Sequence, residues 1–107
     1  MSHKYFVRWT ETAEEDLINI IEGIAEESPR RALEVLENLR RKALHLNNLP
    51  ERGRIVPELK NHGMTLFREL IFAPWRMIYR ISGETVYVLA LFDAKRNLED
   101  ILLDRFL

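Results

Sequence analysis

Two hydrophobic periods divide this chain. Leu17, Ile20, Ile21 and Ile24 fall at the i, i+3, i+4, i+7 spacing of one helical face, and Ala32, Leu33, Leu36, Leu39, Ala43 and Leu46 continue a helical stripe. Beyond residue 65 that period is lost. Leu66 to Phe72, Trp75 to Ile81 and Thr85 to Phe92 are runs rich in β-branched and aromatic residues, separated by the short turns Ala73-Pro74 and Ser82-Gly83-Glu84. Tyr5 to Trp9 is a further short strand signal. Helices with one apolar stripe and strands joined by tight turns must bury those surfaces on each other. The predicted order is β-α-α-β-β-β-α: an α+β fold with a helical hairpin packed on a small, mainly antiparallel sheet.

Local signals set the boundaries. Thr12 and Glu15 have capping-box spacing, so the first helix is expected to start with Thr12 as N-cap. Ser28-Pro29 reads as an N-cap followed by proline at the first helical position, which starts a second helix. That helix should stop near Asn47-Asn48, ahead of Pro50. Pro50 to Pro57 (PERGRIVP) reads as a loop and Asn61-His62-Gly63 as a turn. Val86 to Phe92 is apolar without alternation, the pattern of a strand covered on both faces. Asn97 to Phe106 is predicted as a closing helix with Leu98, Ile101, Leu102 and Phe106 inward. A length of 107 residues leads us to expect one domain, 1–107.

Composition excludes several function classes. With 47% hydrophobic and 31% charged residues the chain belongs with globular rather than disordered proteins. It has no cysteine, which rules out disulfides and thiolate metal sites and suits the cytoplasm. No apolar run approaches the ~20 residues of a membrane helix, and no secretory signal is evident at the start, so no membrane association is expected. The net charge of -1 is not that of a general nucleic-acid binder, although Thr10 to Glu27 is acidic and arginines recur after Arg30.

Conventional catalysts are scarce. Ser2, Ser28 and Ser82 are explained by a terminus, a cap and a turn. His3, His45 and His62 include no pair at metal-ligand spacing, and no metal or cofactor is expected. His3 belongs to a tail, and His45 near a helix end reads as solvated or paired with the helix dipole. His62, in a turn, is the one histidine kept as an acid–base candidate. The arginines say more. Arg76, Ile78 and Arg80 share one face of the middle strand, and Trp75, Met77 and Tyr79 take the other. An arginine projecting from a sheet either covers apolar surface with its stem or grips an anion. Arg96 follows the last strand. With Lys95 and Arg76 it forms a candidate anion site, since arginine keeps its charge and binds phosphate through two donors.

The run Leu66 to Ile81 (LFRELIFAPWRMIYRI) resembles the central strand hairpin of the RelE/ParE toxin superfamily, the plasmid-stabilisation type of toxin from type II toxin–antitoxin pairs. Val86 to Phe92 followed by Asp93-Ala-Lys-Arg96, the upstream Gly53-Arg54 and Pro57-Glu58-Leu59, and the acidic first helix are similar to the same superfamily in the same order. The resemblance implies a growth inhibitor neutralised by a cognate antitoxin, hence a hetero-oligomer, with DNA gyrase (ParE-like) or the ribosome and its mRNA (RelE-like) as target. For the nuclease branch it implies Arg76 and Arg96 as catalytic arginines with Lys95 beside them. Arg68, Arg54 and Arg80 are then binding residues. RelE-like nucleases carry a catalytic tyrosine on the final helix, where this chain has Leu102, and another group has a histidine where it has Asp93. Three activities follow as expectations: a ParE-like inhibitor that binds a protein target, a RelE-like metal-independent endoribonuclease, and a non-toxic member that only pairs with its antitoxin.

Overall fold

The computed structural model describes residues 4–96 and 98–106. The order is β1 (Phe6–Trp9), α1 (Glu11–Glu27), α2 (Pro29–Leu44), two 3₁₀ turns (His45–Asn47 and Pro50–Arg52), β2 (Arg54–Ile55), α3 (Pro57–Lys60), β3 (Phe67–Phe72), β4 (Trp75–Ser82), β5 (Thr85–Asp93) and α4 (Leu98–Phe106). The α+β class is as read from the sequence. Two elements were not foreseen: β2, inside the Pro50–Pro57 stretch that reads as a loop, and α3, which starts at the last residue of that stretch. Asn97 and His3 lie outside the described residues, as does the side chain of Leu98.

The first helix starts earlier than its capping-box spacing suggests. Thr10, in an extended conformation, is the N-cap, and its Oγ1 accepts from the Ala13 amide at 3.2 Å. Thr12 lies inside the helix. The reason is β1: its partner β5 holds the Thr10 amide on the Val88 carbonyl at 3.0 Å, so the chain leaves the sheet at Thr10. Ser28 accepts from the Arg31 amide with Pro29 at the first helical position, as expected. The second helix runs on through a 3₁₀ turn to Asn47.

The sheet order is β1-β5-β4-β3-β2, antiparallel except for the parallel β1–β5 pair. Gly83 turns the β4–β5 hairpin at φ +59°, a conformation that suits glycine. The helical hairpin covers one face: Ala13, Leu17, Val35, Leu39 and Ala43 pack on Trp75, Met77, Val88 and Leu91. The other face carries α3 and α4, where Val56, Leu59 and Leu102 meet Phe67, Ile78, Ala90 and Phe92. Strand β5, second from one edge, is therefore covered on both faces. A register shift opposite Ile78 and Tyr79 leaves Leu89 as an extra residue, so Leu89 and Ala90 both join the α3–α4 side. This bulge is why residues 86–92 show no clean alternation.

Beyond Trp9 no strand among the described residues lies beside the β1 edge of β5. The Leu91 amide there is satisfied instead by Asp16 Oδ2 of α1 at 3.0 Å. Asp16 also takes two hydrogen bonds from Arg105 of α4, at 2.9 and 3.0 Å, which ties the last helix to the first. Among the described residues no helix is long and apolar enough to cross a membrane.

Candidate functional site

Arg76 is the second residue of β4 and faces α3. Its neighbour across the ladder is Ile71, so Glu69 of β3, on the same face, is its diagonal partner. Arg76 Nε donates to Glu69 Oε1 at 2.5 Å. Its two terminal nitrogens donate to both oxygens of Glu58, at 2.6 and 2.8 Å, a bidentate arrangement. Glu58 stands in the first turn of α3, which Pro57 starts. Directly opposite Glu69, on β2, is Arg54, whose Nε donates to Glu69 Oε2 at 2.7 Å. Two guanidinium groups and two carboxylates thus form one continuous chain, Arg54–Glu69–Arg76–Glu58. The Glu69 side chain is 0% exposed and that of Arg76 is 9% exposed, whereas the Arg54 side chain reaches water.

A buried charge is tolerable only when paired and hydrogen-bonded. Here the pairing is complete: among the described residues no buried side-chain nitrogen or oxygen lacks a partner. The electrostatics follow. Hydrogen bonding from Arg76 holds the Glu58 carboxyl below the usual carboxylate range, against the opposing effect of burial. Glu58, then Glu69, holds Arg76 more firmly charged than a free arginine, again against burial. All three carboxylate-facing nitrogens of Arg76 are committed inside the chain.

Next to this network the Pro50–Gly53 segment is fastened from the opposite face. The Tyr79 hydroxyl donates to the Pro50 carbonyl at 2.6 Å and accepts from the Gly53 amide at 2.9 Å. Arg68 Nη1 donates to the carbonyls of Gly53 and Glu51, at 2.8 and 3.3 Å. A Cβ on Gly53 would lie 2.4 Å from the Glu69 carbonyl oxygen and 2.6 Å from the Tyr79 hydroxyl, so only glycine fits. Burial pushes the Tyr79 phenol up from its ordinary value.

The arginines singled out in the sequence therefore separate. Arg76 and Arg54 meet on one carboxylate, and Arg68 pins a loop. Arg80 is exposed and lies over the Phe67 ring at 5.9 Å, lining a groove of about 440 Å³ with Met64, Leu66 and Phe106. Arg96 and Lys95 stand exposed in the turn after β5, where Asp93 accepts from the Lys95 amide at 2.9 Å and from the Arg96 amide at 3.1 Å. His62 sits 3.1 Å from Glu99 of α4, both half-exposed. Leu102 is 0% exposed and belongs to the core under α4. No His, Asp or Glu cluster among the described residues is arranged to hold a metal ion.

Sequence reasoning missed Glu69 and the pairing role of Glu58. The signal was present: Glu69 is the one acid in the strand FRELIF, on the face shared with Phe67. An acid at a buried strand position requires a cation, and two arginines within reach should have been assigned to it.

Residues 7–98 match the family model described as the ParE toxin of the type II toxin–antitoxin system, parDE. The chain belongs to that family, within the RelE/ParE toxin superfamily. Comparison with curated protein sequences returned no significant match. Among solved structures the fold is similar to a chain of the chromosomal ParDE system from P. aeruginosa, with TM-score 0.72 and 21% identity over 86% of this chain and 98% of that one. It is also similar to a chain of the RelBE2 toxin–antitoxin complex from Mycobacterium tuberculosis (TM-score 0.58, 26% identity, 84% and 91% covered). A mutant of E. coli toxin RelE in the free state aligns with TM-score 0.64 and 18% identity, over 97% of this chain and 99% of that one.

Proposed function

We propose that this chain is a growth-arresting toxin that acts by occupying a protein target, with DNA gyrase the first target to test, and that a cognate antitoxin in the same cytoplasm holds it inactive. The observation that carries this reading is the Arg54–Glu69–Arg76–Glu58 network, which uses up the donors of Arg76. Metal-independent RNA cleavage needs a group to activate the 2′-hydroxyl, a cation for the phosphorane and an acid for the leaving oxygen. Arg76 already spends its donors on Glu58 and Glu69. Arginine does not deprotonate in proteins, so it carries no proton in either direction. Leu102 is sealed in the core. These features favour a toxin that binds over one that cuts.

An antitoxin partner is supported by the family and by the presence of both components in the ParDE and RelBE2 structures. Ile18 and Leu33, 50% and 61% exposed on the two helices of the hairpin, offer apolar surface to an amphipathic helix of such a partner. The test is a supercoiling assay with purified gyrase, with and without antitoxin. Inhibition or trapped cleavage complexes, relieved by antitoxin, is the expected result. Full supercoiling at saturating toxin counts against the proposal.

The exposure of Arg96 and Lys95 favours one second reading, a ribosome-dependent endoribonuclease gripping phosphate from that turn. New 5′ ends on translated messages during arrest, lost in Arg96→Ala, would establish it. Normal growth on expression without antitoxin would instead support a member that only pairs.

A further inference from the structure

The second half of α1 carries a glycine that the chain itself does not use. Gly23 lies one turn before the helix ends, and glycine is among the poorest helix formers. The other glycines each meet a need: Gly53 has no room for a Cβ, and Gly63 and Gly83 turn the chain at positive φ. Gly23 does neither, and a Cβ built on it would meet nothing within 4 Å. It opens onto a groove of about 400 Å³ between α1 and the tip of the β3–β4 hairpin, where Ile20, Ile24, Pro74 and Trp75 supply the apolar lining. Asn19, Gly23 and Glu27 fall at i, i+4, i+8 along it, so the groove follows α1 for about 12 Å, a little over two turns. Its far wall is anchored: the Ala94 amide donates to the Pro74 carbonyl at 2.7 Å, which ties the hairpin tip to the turn after β5.

Trp75, on that far wall, is the second observation. It is 8% exposed, belongs to the core under the helical hairpin and stacks on Phe72 at 6.3 Å. Indole N–H is a donor only, and a buried one normally has a partner. Among the described residues no hydrogen bond reaches the Trp75 N–H. Yet no fully buried side-chain nitrogen is left without a partner, so this N–H keeps an opening to the outside. Trp75 lines the groove, and the free donor opens toward it. One wall thus lacks a side chain and the other holds an unused donor in a residue more than nine-tenths buried.

We infer that this groove seats a helix of the antitoxin, packed against α1 at Gly23 and placing a side-chain oxygen on the Trp75 indole N–H. The occupant rests on the antitoxin reading above, which the family and the ParDE and RelBE2 complexes support. Three features select a helix. The walls are a helix flank and a hairpin tip, so an added strand would find no ladder to join. The groove is as long as two turns of helix. A position without Cβ lets a second backbone come close, which is what an incoming helix needs at its crossing point. Helix carbonyls are spent on their own amides, so the acceptor for Trp75 comes from a side chain: Asn, Gln, Asp, Glu or Ser. The same helix carries an aliphatic residue one turn away, against Ile20 and Ile24.

The test takes as probe the protein encoded by the open reading frame next to this chain's own, with Kd from calorimetry and indole ¹⁵N–¹H spectra of the labelled full chain. The chain has 2 tryptophans, so the Trp75 signal is read directly, with Trp9 beside it. On saturation the Trp75 N–H signal should shift as it gains an acceptor. Gly23→Leu fills the groove and should weaken binding roughly tenfold or more. Gly23→Ala should raise the melting temperature of the free chain by about 4–8 °C and still weaken binding, a combination that a merely structural glycine would not give. Trp75→Phe keeps the ring, loses the donor and should weaken binding roughly fivefold. Lys60→Leu adds the same bulk on α3, across the sheet, and should bind as the parent does. Circular dichroism with thermal melting verifies that each variant is folded. Parent-like binding by Gly23→Leu, or a Trp75 signal unmoved at saturation, overturns the groove while the antitoxin reading stands. No complex with the parent chain overturns that reading and the occupant with it. Self-association of the free chain, lost in Gly23→Leu, assigns the groove to a second copy and overturns the antitoxin helix.

Discussion

Replacing Arg76 with alanine separates a structural arginine from a catalytic one. The substitution removes every hydrogen bond that Glu58 and one oxygen of Glu69 receive from it. Glu58 has 26% of its side chain exposed and can turn to water, so its loss is largely screened. Glu69 cannot, being 0% exposed, and keeps only Arg54. Breaking a buried pair from one side costs about 3–5 kcal/mol. With one guanidinium remaining, the lower end applies, about 3 kcal/mol. For a chain of this size that lowers the melting temperature by roughly 12–24 °C. Urea unfolding should show the midpoint fall with the slope unchanged. Arg96→Ala, in an exposed turn, should stay within about 0.5 kcal/mol. The companion variant Arg76→Met with Glu69→Gln removes both buried charges and should be more stable than Arg76→Ala alone, because no carboxylate is left underpaired. A loss below about 1 kcal/mol for Arg76→Ala, indistinguishable from Arg96→Ala, would refute the argument that the network holds the fold.

Four further outcomes follow from the same geometry. Glu58 is held below its ordinary value of 4.5 in the folded state, so its contribution is present above that value and is lost as pH falls through the lowered one; acid titration of stability should show this component in the parent and not in Arg76→Ala. Tyr79→Phe leaves the Gly53 amide and the Pro50 carbonyl without their partner and should cost about 1–3 kcal/mol by chemical denaturation. Tyr79 itself is shifted upward, so its contribution is full below pH 10.0 and declines above it as the phenol is forced to ionise; a shallower alkaline decline is expected in Tyr79→Phe. Leu102→Tyr, which restores the residue type of the nuclease branch, should overpack the core by about 1–3 kcal/mol and generate no mRNA cleavage, read by melting and primer extension.

Much of the fold was legible because long elements advertise their period. The α1–α2 hairpin, the three-strand meander and the final helix all follow from spacing and turn residues. What escaped was short or non-local. β2 has two residues and α3 has four, too few for any period to register; β2 is defined by its non-local pairing with β3, which sets Arg54 across from Glu69. The Thr12 cap failed because two threonines compete within three residues, and the winner was set by the β1–β5 pairing rather than by local spacing. At the candidate site, sequence reasoning found the cations and not their partners. Arginine is conspicuous in a strand, while the pairing of Glu58 and Glu69 is set only when the topology brings four elements together.

That contrast bears on what the sequence resemblance means. Gly53, Arg54, Pro57 and Glu58 are the residues of the upstream element, and Glu69 and Arg76 belong to the strand hairpin. In space they are one unit: Gly53 passes under Tyr79 where no Cβ fits, Arg54 and Arg76 share Glu69, and Pro57 starts the turn that presents Glu58. Their chemistry is neutral in sum and directed inward. A motif of this kind reports that the loop is locked to the sheet, and both a nuclease and a gyrase binder built on this fold could keep it for that reason alone. Inhibitory specificity must then come from groups the network leaves outside. In this chain those include the Arg96–Lys95 turn and the Arg80 groove, and it is there that substitutions should change toxicity without changing stability.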